Sequence, residues 1–288
     1  MFRFFYLINT CYNRYGDYMK YYFIGIKGSG MSSLACLMHD LGYKVLGSDK
    51  SEHFFTEIEL NKRNIKILEF NESNINKDLI IIKGNAFGEE NIEVKKAIEL
   101  GCKIYTYQSM ISTITDEYKL IAISGCHGKT TTSTMMSKIL EPLGVNYLIG
   151  DGSGYGKKNN KYFVLEACEY KRHFLEYNPY YSIITNIELD HTDYYKDLDD
   201  VINAFSSFIN KTKNTVIACG DDKNIRSIKT NKNIIYYGFN DNNDVIAKNI
   251  KIDDNNTKAD IYIDNNYFDT YIYACYCITF ITSSSVCW

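Results

Sequence analysis

The chain has 288 residues, which exceeds the usual size of a single hydrophobic core and predicts two domains. Its net charge of −3 at pH 7 gives no electrostatic basis for a nucleic-acid partner or an anionic membrane surface. Hydrophobic residues make up 45% of the sequence, but no segment reaches the roughly 18 uninterrupted apolar residues of a membrane span. We therefore expect a cytoplasmic protein without membrane insertion, which must hold any polyanionic ligand with local loops.

The cysteines favour reduced thiols. There are nine of them, an odd number, and they include no C-x-x-C pair and follow no signal peptide. At the N-terminus, residues 1–18 are interpreted as a disordered or spurious extension, because the first regular strand begins just after Met19.

The first pattern along the chain is a β-α-β unit with a glycine turn. The apolar run Tyr21–Ile26 predicts a buried strand, Met31–Leu41 a helix and Lys44–Gly47 a second strand. The turn reads Gly25-Ile-Lys-Gly-Ser-Gly-Met-Ser32, and Asp49 follows the second strand. Glycines at such a turn, with an acid about 20 residues later, are typical of Rossmann-type nucleotide sites. The pattern leaves open whether the ligand is a dinucleotide cofactor or a nucleotide-sugar.

A strand at Leu79–Lys83, a helix at Glu89–Leu100 and a strand at Lys103–Tyr107 extend this unit into a small sheet. We expect residues 19–112 to form a Rossmann-like domain.

The most informative stretch is Ile121-Ala-Ile-Ser-Gly-Cys-His-Gly-Lys-Thr-Thr-Thr132, an apolar strand that leads into a glycine-bracketed turn. Glycines let backbone N–H groups close around a phosphate, and the helix that follows points its positive end at that anion. Lys129 is placed to reach the terminal phosphates, and the Thr130 hydroxyl to bind Mg²⁺. The loop is tighter than the standard P-loop, because Ile123 stands where that pattern has its first glycine and Gly125 replaces it.

The remaining elements predict a second α/β domain over residues 113–269. They are a helix at Thr130–Leu140, strands at Tyr162–Glu166 and Tyr181–Asn186, a helix at Asp200–Asn210, a strand at Thr215–Ala218, and β-hairpins from Ile234 to Phe268 with a turn at Asp264–Asn266. A glycine-rich stretch, Gly150–Gly156, predicts a flexible loop. Residues 270–288 are uncharged, lack clean periodicity and are interpreted as an aberrant tail, with an ordinary hydrophobic strand as the alternative.

Acidic groups follow two of these strands and should converge on the phosphates, because ligands bind beyond the carboxyl ends of parallel strands. Glu166 closes one strand and is predicted to bind Mg²⁺ together with Thr130; the alternative is a solvated or capping glutamate. His191, in Asp190-His-Thr-Asp193, is a candidate ligand for a second metal or an orienting group; the alternative is a structural role. His127 either touches the reacting group or only shapes the turn.

With both glycine turns in place, the chain resembles the Mur ligase family, most closely its branch that adds L-alanine to UDP-N-acetylmuramate. The matching pieces are Phe23–Ser32, Gly47–Asp49, Gly84–Phe87, Gly125–Thr131, Ile149–Gly152, Glu166–Phe174, Thr185–Glu188 with Asp190 and His191, and Gly220–Asp222. They span the chain from about Met19 to Phe268, and only the set as a whole is specific.

The resemblance implies an ATP- and Mg²⁺-dependent ligase of peptidoglycan precursor synthesis. ATP would phosphorylate the lactyl carboxylate of UDP-N-acetylmuramate, and the amine of L-alanine would attack the resulting acyl phosphate. The UDP part would bind at Gly28, Ser29, Gly30, Met31, Ser32 and Asp49. ATP would bind at Gly125, Cys126, His127, Gly128, Lys129, Thr130 and Thr131. Lys129, Glu166 and His191 would be catalytic, with Thr130, Glu166 and His191 at metal ions.

Family members carry a third, C-terminal domain, and the resemblance ends near Phe268. From this departure we expect an incomplete central domain and impaired ligation, with a non-catalytic UDP-sugar-binding fragment or pseudo-ligase as the alternative. A nicotinamide-dependent dehydrogenase would account for the first turn only, and a P-loop kinase for the second domain only.

Overall fold

The computed structural model describes residues 20–252 and 256–274, which form two compact units. The first unit contains residues 20–114 and Asn146–Asn160, and the second contains Thr115–Val145 and the described residues from Lys161 to 274. The predicted extension, 1–18, and the predicted tail beyond residue 274 lie outside the described residues.

The first unit is built on a five-stranded parallel sheet. Its strands are β1 (Lys20–Ile24), β2 (Lys44–Asp49), β3 (Lys66–Glu69), β4 (Leu79–Lys83) and β5 (Lys103–Thr106). They lie in the order β3-β2-β1-β4-β5, so β2 and β3 lie on one side of β1, and β4 and β5 lie on the other. The strand order therefore switches between β1 and β4. Ligands in open α/β sheets bind at such a switch point, beyond the carboxyl ends of the strands. The glycine turn after β1 lies there.

Four helices belong to this part of the chain: α1 (Ser29–Asp40), α2 (Glu57–Lys62), α3 (Ile92–Glu99) and α4 (Tyr107–Thr115). Every residue of α1 from Met31 to Met38 is buried. One face of the sheet forms a core in which Tyr22, Ile24 and Ile81 pack against Val94 of α3.

The second unit contains β6 (Lys119–Ser124), β9 (Tyr162–Glu166), β10 (Tyr181–Ile184), β11 (Thr215–Cys219), β12 (Asn233–Gly238), β13 (Val245–Ile252), β14 (Asn256–Ile263) and β15 (Asn266–Ala274). Its helices are α5 (Lys129–Leu140), α6 (Leu198–Lys211) and α7 (Lys223–Ser227). The strands lie in the order β15-β14-β13-β12-β11-β10-β6-β9. Neighbouring strands from β9 to β13 are parallel, and β13, β14 and β15 form antiparallel hairpins. The predicted fold class, a Rossmann-like domain followed by a P-loop-type α/β domain, is confirmed.

The structure differs from the predicted elements in some places after β11 and agrees with them in others. Strand β12 was predicted as part of a hairpin, but it pairs in parallel with β11, because α7 provides a crossover between them. The predicted turn at Asp264 joins β14 to β15, and Asp264 and Asn265 have the positive φ angles that such two-residue turns require. Strand β15 runs on into residues 270–274, which were predicted to belong to the tail.

The predicted flexible loop Gly150–Gly156 lies in a short hairpin of the first unit, made of β7 (Val145–Leu148) and β8 (Gly154–Tyr155). The Ser33 hydroxyl of α1 donates to the Gly152 carbonyl at 2.5 Å. No helix among the described residues is long and apolar enough to cross a membrane.

Candidate functional site

The phosphate loop joins β6 to α5 in the second unit. Gly125 and Gly128 have φ angles of +145° and +80°, a region that side chains disfavour, so the loop needs glycine at both positions. Gly128 caps the helix, and the Thr132 N–H bonds back to its carbonyl at 3.0 Å. The first N–H groups of α5 therefore point out of the helix end, where backbone donors and the helix dipole favour an anion.

Lys129, the first residue of α5, folds over this loop. Its Nζ donates to the Gly125 carbonyl at 2.5 Å and the Cys126 carbonyl at 3.2 Å. It also lies 3.1 Å from Oε1 and 3.0 Å from Oε2 of Glu169. The Lys129 ammonium is thus neutralised by a carboxylate and lies against the backbone carbonyls of the phosphate loop.

Glu169 brings together the charged groups of the site. Its side chain is 1% exposed, and Oε1 lies 3.5 Å from Nε2 of His191. One ligand atom each from Glu169, Asp190 and His191 lies within 4.8 Å of the other two. Among the described residues, Oε2 of Glu169 accepts no hydrogen bond, and the ion pair with Lys129 at 3.0 Å compensates its burial. Two carboxylates and an imidazole at this spacing are a donor set that fits a divalent cation.

The backbone around this group is strained. Lys171, Arg172 and His191 have φ angles of 52°, 58° and 52°, which non-glycine residues rarely adopt. The ring of Tyr170 packs on the His191 ring with centroids 4.6 Å apart, and the Tyr170 hydroxyl donates to Asp193 at 2.6 Å. That hydrogen bond lowers the pKa of the Asp193 carboxyl. The His191 imidazole is therefore packed against a tilted tyrosine ring that is itself anchored by Asp193.

The predicted site residues of the second unit come to one end of the sheet. Thr130 lies in the first turn of α5, and the His127 side chain is exposed, with Nε2 at 3.7 Å from Glu188. Glu166 is the last residue of β9, half-buried, and remains a predicted metal ligand. Sequence reasoning missed Glu169, because chain spacing alone cannot tell which of two carboxylates after a strand turns toward the lysine.

In the first unit, the glycine turn is held by Asp49 and Lys27. The Lys27 N–H donates to Asp49 Oδ2 at 2.7 Å, and the Lys50 N–H donates to Oδ1 at 2.8 Å. The buried Lys27 ammonium donates to the carbonyls of Lys50 and Glu52 and pairs with Glu57 at 2.9 Å. Both charged groups therefore fix the turn and the segment that follows β2.

The predicted UDP-sugar residues divide by exposure. Gly28, Ser29 and Gly30 are exposed at the start of α1, whereas Met31, Ser32 and Asp49 are buried behind them. The exposed backbone at a helix N-terminus is suited to a phosphate group, and the buried residues support it.

The fold and these two sites define a class: a two-unit α/β protein with a Rossmann-like glycine turn and a separate phosphate loop. The profile of the Mur ligase middle domain matches residues 123–272, and the profile of the Mur ligase family catalytic domain matches residues 20–119. The chain belongs to the Mur ligase family.

Three solved structures are similar. UDP-N-acetylmuramate:L-alanyl-gamma-D-glutamyl-meso-diaminopimelate ligase from Neisseria meningitides has a TM-score of 0.75 at 21% identity, with 87% of this chain and 86% of that chain covered. UDP-N-acetylmuramate-alanine ligase from Thermotoga maritima gives 0.74 at 24% identity, with 88% and 60% covered. MurF ligase from Thermotoga maritima, in complex with ADP, gives 0.51 at 16% identity, with 79% and 55% covered.

At these sequence identities, the TM-scores show a shared fold. The chain spans about 60% of the length of the Thermotoga alanine ligase.

Proposed function

We propose that this chain binds Mg²⁺-ATP at the phosphate loop and UDP-N-acetylmuramate at the glycine turn, in an ATP-dependent ligation of L-alanine through an acyl phosphate. The observation that carries the proposal is the convergence of Lys129, Glu169 and His191 at the N-terminal end of α5. Membership of the Mur ligase family supports the reaction class, and the similar alanine ligase supports the choice of amino acid.

Phosphoryl transfer depends mainly on charges that are placed before the reaction begins. In our proposal, Lys129 leaves Glu169 when nucleotide enters and turns its ammonium to the terminal phosphates. The N–H groups of the first turn of α5 bind the same phosphates. When bound, Mg²⁺ neutralises charge that develops on the phosphate oxygens.

The residues that would hold magnesium are Thr130, Glu166 and the group around His191. Glu169 fits this role, since among the described residues its buried Oε2 accepts no hydrogen bond and its carboxylate is compensated by Lys129, with His191 nearby. Release of Lys129 would leave a buried carboxylate in need of a positive charge, which the metal supplies.

At the first site, the proposal places the diphosphate of the sugar nucleotide on the exposed backbone of Gly28, Ser29 and Gly30. Asp49 would contribute by holding the Lys27 amide, which sets the shape of the turn. The presence of both sites favours a protein that binds a nucleotide-sugar at one and a nucleoside triphosphate at the other. A dehydrogenase would need only the glycine turn, and a small-molecule kinase only the phosphate loop.

The test is an assay of ADP release by the purified chain with Mg²⁺-ATP, UDP-N-acetylmuramate and each amino acid in turn. Release that requires both the sugar nucleotide and L-alanine supports the proposal. Binding of UDP-N-acetylmuramate without release would favour the pseudo-ligase alternative. Release that depends on a different amino acid or on a peptide would contradict the choice of L-alanine.

A further inference from the structure

We propose that Asn186, together with Thr185, is a positioning residue for the phosphate loop. It holds the His127 peptide away from the ligand and so leaves phosphate binding to the amides of Gly128, Lys129 and Thr130. The inference rests on the proposed function for its ligand, but the contacts that carry it belong to the ligand-free protein.

The Asn186 side chain pairs with both backbone groups of His127. Its Oδ1 accepts the His127 N–H at 2.9 Å, and its Nδ2 donates to the His127 carbonyl at 2.9 Å. The Thr185 hydroxyl donates to the same carbonyl at 2.6 Å. Asn186 is 1% exposed and Thr185 is 5% exposed, so the bonds are part-buried and their loss would leave buried side-chain or loop polar groups unpaired.

The pairing continues the sheet into the loop. Strands β6 and β10 are parallel up to the pair Ser124 and Ile184, and beyond it the Cys126 N–H donates to the Asn186 carbonyl at 3.3 Å. The Cys126 thiol then contacts the Glu188 N–H at 3.2 Å and the Glu188 carbonyl at 3.3 Å. Residues 125–127 therefore run alongside residues 185–188 as an irregular extension of the ladder.

This arrangement explains why the loop is tight. A Cβ atom at Gly125 would lie 2.0 Å from the Thr185 hydroxyl and 3.0 Å from the Asn186 nitrogen, so only glycine allows the close approach. Because the His127 N–H already has a partner, it is not free to bind phosphate. The same segment leads on to Asp190 and His191, two of the three candidate metal ligands. One stretch of chain therefore fixes the positions of both the phosphate loop and these ligands.

The test uses the full chain and four variants. Asn186→Ala removes both side-chain bonds to His127, and Thr185→Val removes the hydroxyl at nearly constant shape. Thr185→Ser keeps the hydroxyl. Ser182→Ala is the matched control, because Ser182 is a buried polar residue of β10, the strand that leads into Thr185, and its hydroxyl pairs with Thr212 at 2.6 Å rather than with the loop.

The first measurement is amide hydrogen exchange without ligand. The account predicts that the His127 amide is protected in the parent protein, and that protection falls at least about tenfold in Asn186→Ala because the buried acceptor is lost. It should stay unchanged in Ser182→Ala. A His127 amide that exchanges freely in the parent protein would refute the inference, whichever nucleotides bind.

The second measurement is the affinity for a non-hydrolysable ATP analogue with Mg²⁺. Asn186→Ala and Thr185→Val should bind about tenfold more weakly or worse, since a loop that is not held in place loses preorganisation. Thr185→Ser should recover most of the affinity, and Ser182→Ala should lose thermal stability but not affinity. Equal affinities in all variants would refute the positioning role and leave the proposed function standing, whereas failure of the parent protein to bind would refute the proposed function itself.

Discussion

At the scale of single residues, the site depends on which charges meet at the N-terminal end of α5. Glu169 is almost fully buried and lies against both Lys129 and His191. A buried carboxylate needs compensation from hydrogen bonds or from a cation. Lys129 serves this purpose for Glu169 in the structure, and in the proposed nucleotide complex a metal ion would replace it.

Lys129→Ala should lower the affinity for a Mg²⁺-bound ATP analogue, because the ammonium stabilises charge on the terminal phosphates. In a turnover assay it should lower the rate by on the order of a hundredfold or more. Lys138→Ala is the matched control. Lys138 lies on the same helix, is 72% exposed and only approaches Glu141 at 3.8 Å. Equal losses in the two variants would contradict a specific role for Lys129.

Cys126 should resist alkylation in the folded protein. Burial raises the pKa of its thiol to about 12, from an ordinary value of 9.0, so the reactive thiolate is scarce in the native state. Folding stability linked to this thiol is fully present below pH 9 and is lost as the pH rises toward 12. Mass spectrometry after iodoacetamide treatment at pH 8 should find Cys126 modified only after unfolding; rapid labelling of the native protein would show that the loop opens.

At the scale of elements, strong local patterns were sufficient for β1, α1, β2, β4, β6, α5, β9 and β10. Each strand contains an apolar run, and α1 and α5 follow the two glycine turns. Strand β3 and helix α2 were missed, because they are short and partly exposed, so their sequences show weak periodicity. The parallel pairing of β12 could not be predicted, since alternation in a strand does not identify its neighbours.

The same limit applies to the site. Gly125 and Lys129 were predicted as site residues from the motif and His191 from its position after a strand, and the structure places Lys129 and His191 against the same carboxylate. Glu169 and Asn186 were not, because their roles depend on which way a side chain turns after the strand ends. Only the packed backbone decides that.

Glu93 joins three elements of the first unit, and its loss should be costly. Its buried carboxylate accepts the Tyr22 hydroxyl at 2.9 Å, the Asn74 side chain at 2.8 Å, the Asn71 N–H at 3.1 Å and the Ser48 hydroxyl. Glu93→Ala should lower the free energy of unfolding by about 3 kcal/mol or more, because it leaves buried donors unpaired. Glu99→Ala, on the exposed side of α3, should stay within about 0.5 kcal/mol in the same urea titration. A small effect of Glu93→Ala would show that water replaces the carboxylate.

At the scale of the whole molecule, the order of the sequence and the compact units do not coincide. Residues 146–160 follow the phosphate-loop helix along the chain but fold with the first unit, against α1. The predicted second domain, 113–269, includes residues 146–160, whereas these residues belong to the first compact unit. A domain border predicted from motifs keeps each segment with its neighbours in the sequence. The unit to which a segment belongs is decided instead by the residues on which it packs.

Gly156 tests this packing. A Cβ atom there would lie 2.8 Å from Leu41 and 2.9 Å from Leu37. Gly156→Val should destabilise the first unit by about 1–3 kcal/mol, because overpacking forces the hairpin off α1. Lys157→Ala, an exposed neighbour on the same hairpin, should have little effect in thermal denaturation. Equal thermal unfolding midpoints for the two variants would mean that residues 146–160 do not pack on α1 in solution.

The most direct test of the central claim is a crystal structure of the chain with Mg²⁺ and a non-hydrolysable ATP analogue. The account predicts the terminal phosphates at the first turn of α5, with the Lys129 ammonium turned from Glu169 to the phosphates and the metal between the phosphates and the Glu169 carboxylate. A complex in which Lys129 still pairs with Glu169 while the nucleotide lies elsewhere would contradict it.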